Sequence, residues 1–246
     1  MSFTPRSLFA NFLGNRRLAM THVVIPLYEG VTPLDFTGPY QLLRAVPEME
    51  LELAALGCKD IVADGITFGA LRDLETIESC DILLVPGGLG CIGALENHRF
   101  LDAIRRLADG AIYVSSVCTG SLILAAAGLL NGRRAACHWA FRDLLAAFGA
   151  IPDSGRIVRD GNRITGGGVT AGTDFALALV ADLRGKEAAQ GAQLLLEYAP
   201  EPPFAAGSPE TAPPPVIEAV NARLANAIAD AERRIAIVAA QMRRVT

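Results

Sequence analysis

The sequence lacks the marks of a disulfide framework or a zinc cage. Its five cysteines, Cys58, Cys80, Cys91, Cys118 and Cys137, are odd in number and never spaced as CxxC. Thiols scattered through apolar segments fit a reducing, cytoplasmic setting, and no metal site is expected. Long basic runs are also missing: no two arginines are followed by a third basic residue, and the formal net charge is −4. That argues against a nucleic-acid or anionic-membrane surface. No apolar stretch reaches the roughly 18 to 20 residues of a membrane span, because charges and glycines interrupt each run first. The opening MSFTPRSLFANFLGNRRLAM has no apolar run followed by a small-residue cleavage site, so it does not read as a secretory signal. There is no internal repeat. The glycine run ITGGGVTAGTDF carries neither a Lys after its last glycine nor the GxGxxG order, and reads as a tight turn into a helix capped by Thr170 or Thr173.

What is present is a chain of 246 residues, 51% hydrophobic, enough for one sizeable domain with appendages. Short apolar runs, VVIPLY, LELAAL, DILLVPGG and AIYVSSVC, alternate with helical stretches such as HRFLDAIRRLADG. That alternation predicts an α/β fold with a parallel sheet covered on both faces. Asp-Gly within IVADGITFGAL and RIVRDGNRITGGG predicts two hairpins. We read residues 1–21 as an N-terminal extension, 22–198 as the α/β domain, 199–215 as a proline-rich strap and 216–246 as an amphipathic helix. In that helix Val216, Val220, Leu224, Ile228, Ala231, Ile235, Val238 and Met242 fall at spacings of three and four, forming one apolar stripe. The stripe covers either the domain's own core or a second subunit. A homodimer in which it crosses to the partner is the expectation taken forward.

Chemistry in open parallel sheets collects at the carboxyl ends of the strands. After the first strand, EGVTPLDFTGP places Asp35 at the start of a helix, three residues beyond Thr32, a spacing that also suits a capping box. After ILLVP come Gly87 and Gly88, whose unhindered amides suit an anion-binding nest, with Leu89 and Ile92 beyond them as apolar neighbours. The third strand ends in Ser116-Val117-Cys118-Thr119-Gly120, which follows the nucleophile-elbow plan with serine in place of the first glycine. A thiol there points at the first amides of the next helix, which favours thiolate, so Cys118 is expected to be the strongest nucleophile. Cys58, Cys80 and Cys137 read as buried structural thiols, while Cys91 lies in the loop after Gly-Gly and within possible reach of the site. His138, in ACHWAF, either faces the same end of the sheet or packs beside Trp139.

DILLVPGG, SVCTGSLILAAAGLLNGRRA with HW shortly after, and TGGGVTAGTDFAL together resemble the ThiJ/PfpI family of the class I glutamine-amidotransferase-like superfamily, over residues 22–197. Within it, LDFTGPYQLL combined with VCTGSLILAAAGLL and GGGVTAGTDFAL is similar to the isonitrile hydratases. Regulators of the same family share several of these motifs but normally continue into a helix-turn-helix domain, which the thirty or so residues after the strap, read as one helix, are not expected to supply. A sensor role without catalysis, or a glyoxalase, deglycase or amidase activity, are the alternatives.

The resemblance implies a doubly wound, flavodoxin-like sheet, a dimer, Cys118 as nucleophile, Asp35 beside it and Thr119 as its hydroxyl neighbour. It implies a small organic isonitrile as substrate, converted to an N-substituted formamide. Cys118 would add to the terminal carbon while Asp35 delivers a proton, giving a thioimidate that water then opens. Gly87, Gly88, Leu89, His138 and Trp139 would bind the substrate or its anionic intermediate, and no cofactor is expected.

Overall fold

A computed structural model describes residues 20–243, so the expected N-terminal extension lies almost wholly outside the described residues. A seven-stranded sheet forms the centre. It contains β1 (Thr21–Pro26), β2 (Met49–Ala55), β5 (Arg72–Asp73), β6 (Ile82–Val85), β7 (Tyr113–Val117), β10 (Ile157–Asp160) and β11 (Arg163–Gly166) in the order β10-β11-β7-β6-β1-β2-β5. All neighbouring pairs are parallel except the β10–β11 hairpin at one edge. The two inner strands explain the apolar runs: Val23, Val24, Ile25 and all of Ile82–Val85 are fully buried, as strands covered on both faces must be.

Helices close both faces. On one side α1 (Pro33–Arg44) packs against α5 (Ala171–Arg184), which also contacts α6 (Lys186–Leu195). On the other lie α2 (Cys91–Glu96), α3 (His98–Ala108) and α4 (Gly120–Ala126). The arrangement is the expected doubly wound, flavodoxin-like α/β sandwich with a long C-terminal helix. Both Asp-Gly turns form hairpins. Asp64 and Gly65, each at positive φ, join β3 (Ile61–Ala63) to β4 (Ile66–Phe68) in a small separate ladder. The second hairpin is β10–β11, and it extends the main sheet. A further two-stranded parallel ladder pairs β8 (Arg134–Ala135) with β9 (Ile151–Pro152).

Three local expectations are corrected. Thr170 occupies the N-cap of α5 but makes no side-chain cap hydrogen bond. Cys58 is exposed in a short 3-10 turn at positive φ, and is no core thiol. The apolar stripe of the last helix, α7 (Pro214–Met242), is divided: Ala231, Ile235, Val238 and Ala239 are buried on the chain's own domain, whereas Val216 and Val220 remain exposed. Packing in cis therefore accounts for the second half, against α2, α4 and the 3-10 segment Arg142–Phe148. Among the described residues no helix is long and apolar enough to cross a membrane.

Candidate active site

Cys118 sits at the turn between β7 and α4 with φ +57°, a left-handed conformation that side-chain-bearing residues avoid. The surrounding bonds fix this strain. The Cys118 amide donates to Gly166 O at 3.0 Å, and the fully buried Ser116 hydroxyl lies 2.8 Å from that of Ser121, which donates to Ala136 O. Two residues after the thiol only glycine fits, because a Cβ on Gly120 would stand 2.2 Å from Val85 O. The elbow plan read from the sequence is therefore present, and Ser116 serves where the usual pattern has glycine.

Asp35 is the third residue of α1 and fully buried. It does not form the capping box that its spacing from Thr32 suggested. Thr32 makes no side-chain cap, its amide donates to Gly87 O at 2.9 Å, and Gly87 N–H donates to Asp35 Oδ2 at 2.9 Å. The pair of bonds staples the loop after β1 to the end of β6 and turns the carboxyl toward the elbow. A side chain at Gly87 would bring a Cβ to 2.5 Å from Thr119 N and 2.7 Å from Asp35 Oδ2, so glycine is what lets these groups meet.

The Cys118 thiol is close enough to act on the Asp35 carboxyl as a weak donor. It leaves Asp35 Oδ1 buried without a hydrogen-bond partner of full geometry. Burial raises the Asp35 pKa to about 7, and the bonds from Gly87 and Cys118 only partly oppose it. Burial also pushes the Cys118 thiol well above its ordinary value, with further contributions from Asp35 and Cys137, and the Thr119 amide works in the other direction. This overturns the expectation of a resting thiolate. The N-terminal charge of a seven-residue helix does not outweigh removal of the sulfur from water, with only 4% of the residue exposed.

The remaining residues fall into place around this pair. Thr119 Oγ1 donates to Gly88 O at 2.9 Å and accepts from Gly88 N at 2.8 Å. The Gly88 amide, expected to hold an anionic species, is thus occupied by the threonine. Tyr28, buried between the two strand ends, donates its hydroxyl to Pro86 O at 2.8 Å. His138 accepts the Ala140 amide at Nδ1 and packs tilted against Trp139 and edge-on to Phe141, with burial lowering its pKa. That is the packed alternative left open by the sequence. Next to Thr119 lies a small cavity whose wall includes Leu89, Cys91, Ile92 and Phe141. Leu89 and Ile92 line this cavity, and Phe141 does so where Trp139 was expected. Nothing in the spacing of ACHWAF told which ring would turn inward. Cys91 does reach the site, and its burial raises its pKa to about 11. Among the described residues no group of three or more His, Cys, Asp or Glu is placed to hold a metal ion.

The model of the DJ-1/PfpI family matches residues 21–182. An isonitrile hydratase of Pseudomonas putida is 50% identical over 203 residues, covering 81% of this chain and 88% of that protein. An HTH-type transcriptional regulator of Pseudomonas aeruginosa is 29% identical, with 66% of this chain matched to 51% of the regulator. Among solved structures, a ThiJ/PfpI family protein from Pseudomonas syringae superposes with a TM-score of 0.86 at 39% identity, covering 89% of this chain and 91% of that one.

Proposed function

This chain belongs to the DJ-1/PfpI family, and from that premise we propose that it is an isonitrile hydratase, a homodimeric, cytoplasmic lyase that adds water to an isonitrile to give an N-substituted formamide. The observation that carries the reading is the buried Asp35 carboxyl, with a pKa of about 7, beside the elbow thiol of Cys118. A proton carrier poised near neutrality next to a nucleophile is what addition to R–N≡C requires. The half-identical Pseudomonas putida relative supports the substrate class.

The active pair holds one proton between sulfur and carboxyl. As the Cys118 sulfur bonds to the isonitrile carbon, Asp35 takes the thiol proton and passes it to that carbon, giving the thioimidate Cys118–S–CH=N–R. Water then adds to the same carbon. Asp35 accepts a proton from the water and passes it to the nitrogen, leaving Cys118–S–CH(OH)–NH–R. Collapse forms the C=O bond, breaks the C–S bond and returns the hydroxyl proton to sulfur, releasing R–NH–CHO. The Thr119 amide, directed at Cys118, stabilises negative charge on the sulfur as it leaves. The site chemistry calls for no cofactor.

The test is to incubate the full chain with methyl isocyanide and with cyclohexyl isocyanide and to follow the N-formamides by mass spectrometry. Formation of either, lost in Cys118→Ala, is the expected result. Absence of both products would refute the assignment.

A further inference from the structure

The cavity beside Thr119 measures about 80 Å³, and its far wall is built by α7, through Ala227, Asp230 and Arg234. Residues over a hundred positions beyond the elbow are thereby brought to a cavity that Thr119 and Cys91 line, next to Cys118, which does not itself line it. Arg234 fastens them there. Its Nε and Nη2 donate to the two carboxylate oxygens of Glu96 at 2.8 and 2.5 Å, and its Nη1 to Asp230 Oδ2 at 3.1 Å. Glu96 ends α2, the helix that starts directly after the Gly87-Gly88 turn, so the two-pronged bond ties the last helix to the frame of the active site. Ala231 and Ile235, buried beneath, hold the same stretch by apolar contact.

The volume matters for what enters. A cavity of about 150 Å³ accommodates a benzene ring. At about 80 Å³ this one is roughly half that size while α7 is seated, which favours small R groups over a six-membered ring. We propose that the stretch of α7 from Ala227 to Arg234 is the specificity-determining wall of the active site, with Ala227 setting the size of the R group and the Arg234–Glu96 pair holding the wall against bulkier ones. The inference rests on reading the site as the isonitrile-converting centre. Glu96 is a positioning residue in this scheme, since it touches Arg234 and does not line the cavity.

Two variants and two readouts test it. The first readout is kcat/KM for methyl against cyclohexyl isocyanide. The second needs no turnover: the rate at which Cys118 is alkylated by iodoacetamide against a pyrenyl iodoacetamide, read by peptide mass in a Cys58→Ser background. The wild-type chain should favour the small member of each pair. Glu96→Gln, which loosens the clamp, should shift both ratios toward the bulky member by about threefold, the scale of one partly exposed ion pair. Ala227→Leu should fill the cavity and lower both methyl isocyanide turnover and iodoacetamide labelling by about tenfold or more. Unchanged ratios in Glu96→Gln, or full activity and labelling in Ala227→Leu, would overturn the wall. Formamide production with unchanged ratios would leave the hydratase assignment standing and the wall refuted. Failure of the wild-type chain to make any formamide would end the hydratase assignment, and the labelling rates would still decide whether α7 limits access to Cys118.

Discussion

Asp35 Oδ2 accepts its hydrogen bond from Gly87, in the loop after the neighbouring strand β6, and the α1 N-terminus goes without the cap that the same side chain could have supplied. The carboxyl is placed for its neighbours at the other strand ends instead of for its own helix.

Asp35→Asn separates the two uses. The amide oxygen can still accept from Gly87, so the variant should fold, but it cannot carry a proton between sulfur and carbon. Turnover should fall about a hundredfold or more. Near-normal formamide production by a folded Asp35→Asn chain would overturn the proton-carrier role.

The same carboxyl sets a pH dependence of stability. Its folded pKa of about 7 lies above the ordinary 3.8, so the folded protein holds this proton more tightly than the unfolded chain does. Stability from this group is complete below pH 4 and is lost as pH rises to about 7, after which it is level. At about 1.4 kcal/mol per unit the loss is on the order of a few kcal/mol. Asp35→Asn has no such proton to lose, so its denaturation midpoint should gain on wild type between pH 4 and 7. A constant difference across that window would contradict the burial argument.

Activity should follow the opposite slope. Below pH 7 both members of the Asp35–Cys118 pair are protonated and the carboxyl cannot take the thiol proton. As Asp35 ionises, kcat/KM should rise with an apparent pKa near 7 and then stay level, because the raised Cys118 pKa keeps the singly protonated pair dominant well into alkaline pH. A profile falling through neutrality would mean that the doubly protonated pair is the working form.

Much of the framework was legible because local chemistry and global placement agree. Ile82–Val85 and Val23–Ile25 are apolar without alternation, and only a strand buried on both faces asks for that. Gly120 two residues after Cys118 is required by the 2.2 Å approach to Val85 O, so the elbow announced itself in the spacing. Electrostatics was not legible in the same way. The thiol at a helix N-terminus suggested thiolate, but how deeply the sulfur is buried is settled by segments far away in the chain. The α7 contribution to the cavity was also hidden. Ala227, Asp230 and Arg234 lie off the apolar stripe read from the sequence, and only the tertiary Arg234–Glu96 bond reveals where that side of the helix faces.

Thiol labelling tests the elbow. Cys58 is exposed and should react first with iodoacetamide, ahead of Cys118, while Cys80, with a pKa raised to about 12, and the buried Cys137 should lag. Cys118→Ala should abolish turnover and fold normally. Cys118→Gly should fold at least as stably as Cys118→Ala, because glycine tolerates the φ of +57°, with a gain of up to about 1 kcal/mol. A less stable glycine variant would show that the left-handed turn is not a source of strain.

The last prediction concerns the half of α7 that the domain does not cover. Val216 and Val220 are 46% and 36% exposed, and Leu194, Leu195 and Phe204 stand out from α6 and the strap at 82%, 56% and 80%. Apolar side chains of this size on one terminal portion of a chain favour a second subunit as their cover. The cis-packed half sets how the test must be made. Cutting the chain after the strap would also uncover the surface beneath Ile235 and Val238, and any loss of solubility would then be uninformative. Point changes avoid this: Val216→Glu with Val220→Glu leaves the buried anchors in place. Light scattering on the purified wild-type chain should give a dimer mass, and the double variant should shift toward monomer at micromolar concentration with unchanged thermal stability of the core. A monomeric wild type, or a double variant as dimeric as the parent, would show that the first half of α7 takes no part in assembly.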